Sequence, residues 1–171
     1  MNILVNDQLD ETRNNLLTEI TLLSDTQFNS KPDMNMWSIA QVCHHLVLVE
    51  QASLKAIAWG LKDGENAKKE RKKIELLMLN RTKKIDAPKI VEPDSGPFEV
   101  QQIIDVLHES RHKLQTFLST IEDPSILTEK SVKHPALGDL SLDQWIEQIY
   151  LHEQRHIEQI KEIKLLVNAT S

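Results

Sequence analysis

The sequence is short of several residue types, and each shortage excludes something. It holds one cysteine, Cys43, so it has no internal disulfide framework and suits a reducing compartment. Glycines number four and aromatic residues make up 4%. A β-sandwich or barrel needs many turns and many pleated-surface side chains, so the composition argues against both. No apolar run approaches the roughly 18–20 residues that a membrane-spanning helix requires. The first residues lack a cationic stretch followed by a long apolar one, so the expectation is a soluble cytoplasmic chain without a leader. Positive charge is not in surplus either. The formal charge is −6, which argues against tight nucleic-acid binding through bulk charge.

What is present is 171 residues, 40% of them apolar. That is enough for one domain over 1–171 with its own core. The few prolines and glycines punctuate it, at Pro32, Gly60, Gly64, Pro88, Pro93, Gly96, Pro97, Pro124, Pro135 and Gly138. Four long stretches carry apolar residues at helical spacing. The first, about 3–25, has Leu9, Leu16, Ile20 and Leu23. The second starts at Trp37-Ser38. The third, after Pro97, has Val100, Ile103, Leu107, Leu114, Leu118 and Ile121. The fourth, about 142–167, has Trp145, Ile149, His156, Ile160, Ile163 and Val167.

Ser38-Ile39-Ala40-Gln41 reads as a capping box, and Ser141-Leu142-Asp143-Gln144 repeats it. The segment 64–97 opens with the basic run Lys68-Lys69-Glu70-Arg71-Lys72-Lys73, read as a solvated face, and continues into a proline-rich loop. It reads as a short helix plus loop crossing between the second and third long helices. The expected fold is all-α: a four-helix bundle whose long crossover sets those two helices parallel and the fourth antiparallel to both.

Chemistry concentrates in the seven histidines. His-Glu-x-x-His, the zinc-peptidase pattern, occurs at 108–112 and again at 152–156. Helical phase separates the copies. With Leu107 at zero, His108 and His112 fall at about 100° and 140°, facing sideways or outward. With Ile149 at zero, His156 lies near −20°, His152 near −60° and Glu153 near +40°, turned toward the interior. Such histidines either hydrogen-bond to neighbouring helices or ligate metal.

On the second helix His45 lies on the edge of the inner face, while His44 points out. His45 stands about 10 Å past its cap, and His152 and His156 about 16–22 Å along an antiparallel helix, so their levels can meet. Three neutral imidazoles with an open position suit a catalytic divalent ion, Zn²⁺ or Ni²⁺. A structural site would close its fourth position with protein. The metzincin extension is missing: Gln159 stands where its glycine would be and Glu162 where its last histidine would be. No strong edge strand is expected to hold a peptide.

Trp37 through Leu46, with Trp-Ser and then His-Leu, resembles the second-helix signature of DinB-like proteins. His134-Pro135-Ala136-Leu137-Gly138-Asp139-Leu140-Ser141, Trp145 and His152 through His156 resemble their loop and fourth helix. The resemblance implies an up-down-down-up four-helix bundle and a divalent metal on His45, His152 and His156. It implies homodimers and a range of activities. These include glutathione-, mycothiol- or bacillithiol-dependent transferases and isomerases, and metal-dependent hydrolases. A low-molecular-weight thiol is thus a candidate partner.

Other residues take provisional roles. Glu153 is the candidate base, with orientation of an imidazole as the alternative. Glu50 reads as solvated surface, or as a partner of the site. His134 reads as a loop residue near the cap of the fourth helix, or as an added ligand. Cys43 reads as a small buried hydrophobe. Trp37, Trp59 and Trp145 read as core or staple residues. Two functions stay open: a metal-dependent hydrolase or thiol transferase, and a non-catalytic bundle that binds metal or ligand for sensing or structure.

Overall fold

The computed structural model describes residues 3–68 and 70–169; Lys69 of the basic run lies outside the described residues. Four long helices form the body: α1 (Ile3–Ile20), α3 (Ile39–Asp63), α5 (Val100–Ser119) and α7 (Leu142–Ala169). Short helices α2 (Asp25–Asn29), α4 (Ile74–Met78) and α6 (Ile126–Glu129) lie between them, with a 3₁₀ turn at Lys89–Val91.

Cross-helix contacts fix the directions. Arg13 meets Glu153, and Glu19 meets Lys164, so α1 and α7 run the same way. Ser53 bonds Gln148 while His45 meets His152, so α3 opposes α7. Arg111 reaches the Leu9 carbonyl and Arg13 the Leu107 carbonyl, so α5 opposes α1. Together these give an up-down-down-up bundle with the long crossover between α3 and α5.

The stripes form two apolar clusters. One gathers Leu16, Ile20, Ile39, Val42, Leu46, Ile103, Leu107, Ile157 and Ile160. The other gathers Leu9, Ile57, Leu114, Leu118, Leu142, Trp145 and Ile149. Between them, each long helix turns one charged residue inward: Arg13, Glu50, Arg111 and Glu153, each at most 4% exposed. Glu50 is therefore buried, not at the solvated surface that its sequence suggested. Cys43 is fully buried, as expected.

Several boundaries differ from the sequence reading. The first helix stops at Ile20, because Ser24 and Gln27 form a capping box that starts α2. The Ser38–Gln41 box caps α3 as expected. The second box does not form. Gln144 instead bonds both the N–H and the carbonyl of Lys72, at 3.1 and 2.7 Å, and ties the crossover to α7. The described residues of the basic run are exposed, and two of them join that tie: Arg71 pairs with Asp143 and Glu147, and Lys72 donates to the Leu137 carbonyl at 2.6 Å. Trp59 is 52% exposed and belongs to neither cluster.

Gly60 lies inside α3 and does not break it. A Cβ there would stand 2.5 Å from a Leu142 methyl and 2.7 Å from a Val132 methyl, so glycine allows the close approach. Val132 belongs to a small antiparallel sheet that the sequence did not signal, ordered β1 (Glu65–Asn66), β2 (Lys130–His134), β3 (Gly138–Ser141). Gly138 turns the β2–β3 hairpin at φ +73°, a backbone angle that glycine adopts without a Cβ clash.

Candidate metal centre

Three imidazoles converge where α3 faces α7. The cap at Ser38 sets the phase of α3, so His45 falls against α7 and is 3% exposed. On α7, His152 and His156 stand one turn apart on one face. His152 Nε2 lies 3.2 Å from His45 Nε2 and 3.1 Å from His156 Nε2. One ligand atom from each of the three lies within 4.8 Å of the others.

Hydrogen bonds on the opposite ring edges fix the tautomers. His45 Nδ1–H donates to the Val91 carbonyl at 2.7 Å, and His156 Nδ1–H donates to Gln159 Oε1 at 2.7 Å. Both Nε2 atoms are then lone pairs aimed at His152 Nε2. A single proton on His152 can satisfy only one of them, whereas a cation satisfies all three. Nitrogens ~2.1 Å from one ion at tetrahedral angles stand about 3.4 Å apart, close to the spacing observed. The donor set fits a divalent ion.

Burial keeps the rings neutral, as ligation requires. It lowers His45 from the usual histidine value and carries His152 well below it. His156 falls to about 3, chiefly through burial and then through the charge of His45.

A cavity of about 170 Å³ opens beside the cluster, lined by all three imidazoles. Most of its wall is apolar: Trp37, Val49 and Trp145 from the body, and Ile85, Pro88 and Ile90 from the crossover. The crossover thus supplies both a wall of the cavity and the Val91 carbonyl that orients His45. The sequence shows no motif in this segment and suggests for it only a share in substrate selection. Backbone carbonyls leave no residue signature, and the sequence gives Gln159 no reason to be a partner of His156.

The remaining candidates lie elsewhere. His108 and His112 are exposed on α5. His44 accepts the Asp94 N–H at 3.0 Å and sits beside Phe98, outside the cluster. His134 borders the cavity but is no member of the three-imidazole cluster. Glu153 faces the bundle axis, where its carboxylate accepts from Arg13 at 3.1 Å and from Arg111 at 2.9 Å. Glu50 accepts from the same arginines, at 3.2 and 2.9 Å.

Comparison with known proteins fits this geometry. The family model of the DinB superfamily matches residues 8–160. An uncharacterized protein of Bacillus subtilis (strain 168), YuaE, is 31% identical over 155 residues, covering 91% of this chain and 94% of that protein. The chain belongs to the DinB superfamily. In fold it is similar to YfiT from Bacillus subtilis, described as a probable metal-dependent hydrolase with an unusual four-helix bundle topology. That likeness has a TM-score of 0.63 at 18% identity, covering 95% of this chain and 85% of YfiT.

Proposed function

We propose that this chain is a divalent-metal-dependent enzyme acting on a small molecule with an apolar body. His45, His152 and His156 would hold zinc or nickel. The observation that carries the reading is the apolar cavity bordered by all three imidazoles. A site built only to hold metal would close the remaining coordination position with protein and would need no such cavity. When bound, the ion supplies a Lewis acid that polarises an oxygen or lowers the pKa of water or a thiol.

The chain's own residues do the positioning. Val91 and Gln159 hold His45 and His156 in the ligating tautomer. Glu153 is assigned to the buried ion network of the bundle core rather than to proton transfer, because its carboxylate is engaged by two arginines. Hydrolysis is the favoured reaction, with YfiT's description in support. Transfer of a low-molecular-weight thiol is the second reading, because the crossover that would select a thiol matches no motif. A reducing cytoplasm suits the single buried thiol of Cys43. The homodimer that the family resemblance implies belongs to this reading.

The test begins with metal content of tag-free protein purified without added metal, and one equivalent of zinc or nickel is expected. The loaded chain is then given p-nitrophenyl acyl esters, and separately glutathione or bacillithiol with monochlorobimane. Ester cleavage without thiol supports the hydrolase. Conjugation only with thiol supports the transferase. Full metal occupancy with neither activity would mark a non-catalytic metal-binding bundle, and absence of metal would overturn the reading.

A further inference from the structure

His134 ends β2 at the rim of the cavity. The loop after it folds back, so that the backbone N–H groups of Ala136 and Leu137 both donate to Nδ1, at 3.1 and 3.2 Å. A ring nitrogen that accepts two N–H bonds carries no proton, so the neutral ring carries its proton on Nε2. Nε2 has no hydrogen-bond partner among the described residues. The ring rests against Trp145, with centroids 4.7 Å apart and planes tilted by 52°. Trp145 is held in turn by its own bond to the Val132 carbonyl at 3.0 Å. The mount is stiff on two sides, and the ring borders the same cavity as the three imidazoles. Burial, and then the nearby Lys72 ammonium, lower its pKa to about 4, so it stays neutral near pH 7.

We infer that His134 is a substrate-binding residue, whose Nε2–H donates to a carboxylate or carbonyl oxygen of a ligand whose apolar body fills the cavity. The inference rests on the proposed reading of that cavity as the substrate site. Bracing the turn uses only the acceptor at Nδ1, and Nε2–H, with no partner among the described residues, is left for water or for a ligand in the cavity. The fixed donor and the apolar wall together specify the ligand class: one oxygen acceptor on a hydrocarbon body. The donor also orients that oxygen relative to the imidazole cluster.

Two substitutions divide the ring's two nitrogens between them. In H134N the side-chain oxygen sits near the place of Nδ1, keeping the turn's acceptor and losing the donor. In H134Q the amide nitrogen reaches the place of Nε2, keeping a donor while the turn loses its acceptor. The probe is phenylacetate, titrated calorimetrically into the zinc-loaded chain. H134N is expected to weaken binding about ten-fold or more, the loss of one hydrogen bond to a charged acceptor, at unchanged zinc content and Tm. H134Q is expected to bind close to wild type with a lower Tm. In parallel, the His134 Nε2–H resonance of the ¹⁵N-labelled wild type is followed during the titration, with and without zinc, and is expected to shift.

Equal affinity in H134N and wild type, or a resonance that saturating phenylacetate leaves in place, would overturn the inference. Failure to take up zinc would overturn the metal reading instead. The zinc-free resonance still decides the role of His134 in that case.

Discussion

The same five-residue pattern occurs on α5 and on α7, and the two copies face opposite ways. On α7, His152 and His156 turn toward α3 and meet His45. On α5, His108 and His112 face solvent, and the residues turned inward are Ser110 and Arg111, each 4% exposed. Only the middle residue differs, Ser110 against Gln154, and the spacing is identical, so neither decides the chemistry. What differs is the phase of the pattern against the apolar stripe. Ile149, Ile160 and Ile163 place the α7 pair inside, while Leu107, Leu114 and Leu118 place the α5 pair outside. A ligand pair needs a burying face and a third imidazole across the interface. Only the α7 copy has both.

The largest expected effect breaks the comparison at the metal. His45→Ala, His152→Ala and His156→Ala each leave two imidazoles, and metal measured by mass spectrometry in the purified variants is expected to fall from near one equivalent to near zero. His108→Ala and His112→Ala remove the same side chains from the outward copy. They are expected to keep the metal, with stability changed by no more than about 0.5 kcal/mol. Equal metal loss from both copies would show that phase does not separate them.

The next effect concerns stability. Arg111 holds Glu50 at 2.8 Å and Glu153 at 2.9 Å, and Arg13 closes the network from α1. Arg111→Ala leaves two buried carboxylates sharing one arginine. Removing one member of a buried ionic group costs about 3–5 kcal/mol, because the partner charges stay buried and uncompensated. Urea unfolding of the metal-free chain measures it. The same truncation at His112, one residue on, is expected to cost almost nothing. In the outward copy, then, the arginine carries the structure and the histidines do not.

The network shows what the sequence made legible and what it did not. Apolar spacing, one capping box and the scarcity of glycine and proline were enough for the four long helices and the crossover. Phase and depth along the helices together put His45, His152 and His156 at one level. The same phase also pointed to Arg13, four residues after Leu9 and three before Leu16, and to Arg111, four after Leu107 and three before Leu114. Both arginines sit on apolar stripes, a signal present but unread, because arginine is expected at the surface. The small sheet was not legible. Its strands have two, five and four residues, too short for an alternating pattern to stand out, and the close packing of Val132 on α3 depends on Gly60. Nor was the Val91 carbonyl, since only the path of the crossover brings it to His45.

The smallest effect tests whether burial governs a histidine's charge outside both copies. His134 is half-buried, and burial with the Lys72 charge lowers its pKa to about 4 in the folded chain, against about 6.5 when unfolded. Above pH 6.5 both states are neutral there, and His134 adds no pH dependence. Between pH 6.5 and 4 the unfolded chain gains a proton that the folded chain refuses, so stability falls as pH falls through that window. Carboxylates titrate over part of the same range, so wild type alone is uninformative, whereas its difference from H134N cancels their contribution. H134N cannot take that proton. Unfolding free energies of the metal-free proteins at pH 7 and pH 4.5 are expected to show H134N gaining on wild type upon acidification. A difference that stays constant with pH would mean that His134 titrates alike in both states, and that its place at the cavity rim does not keep it neutral.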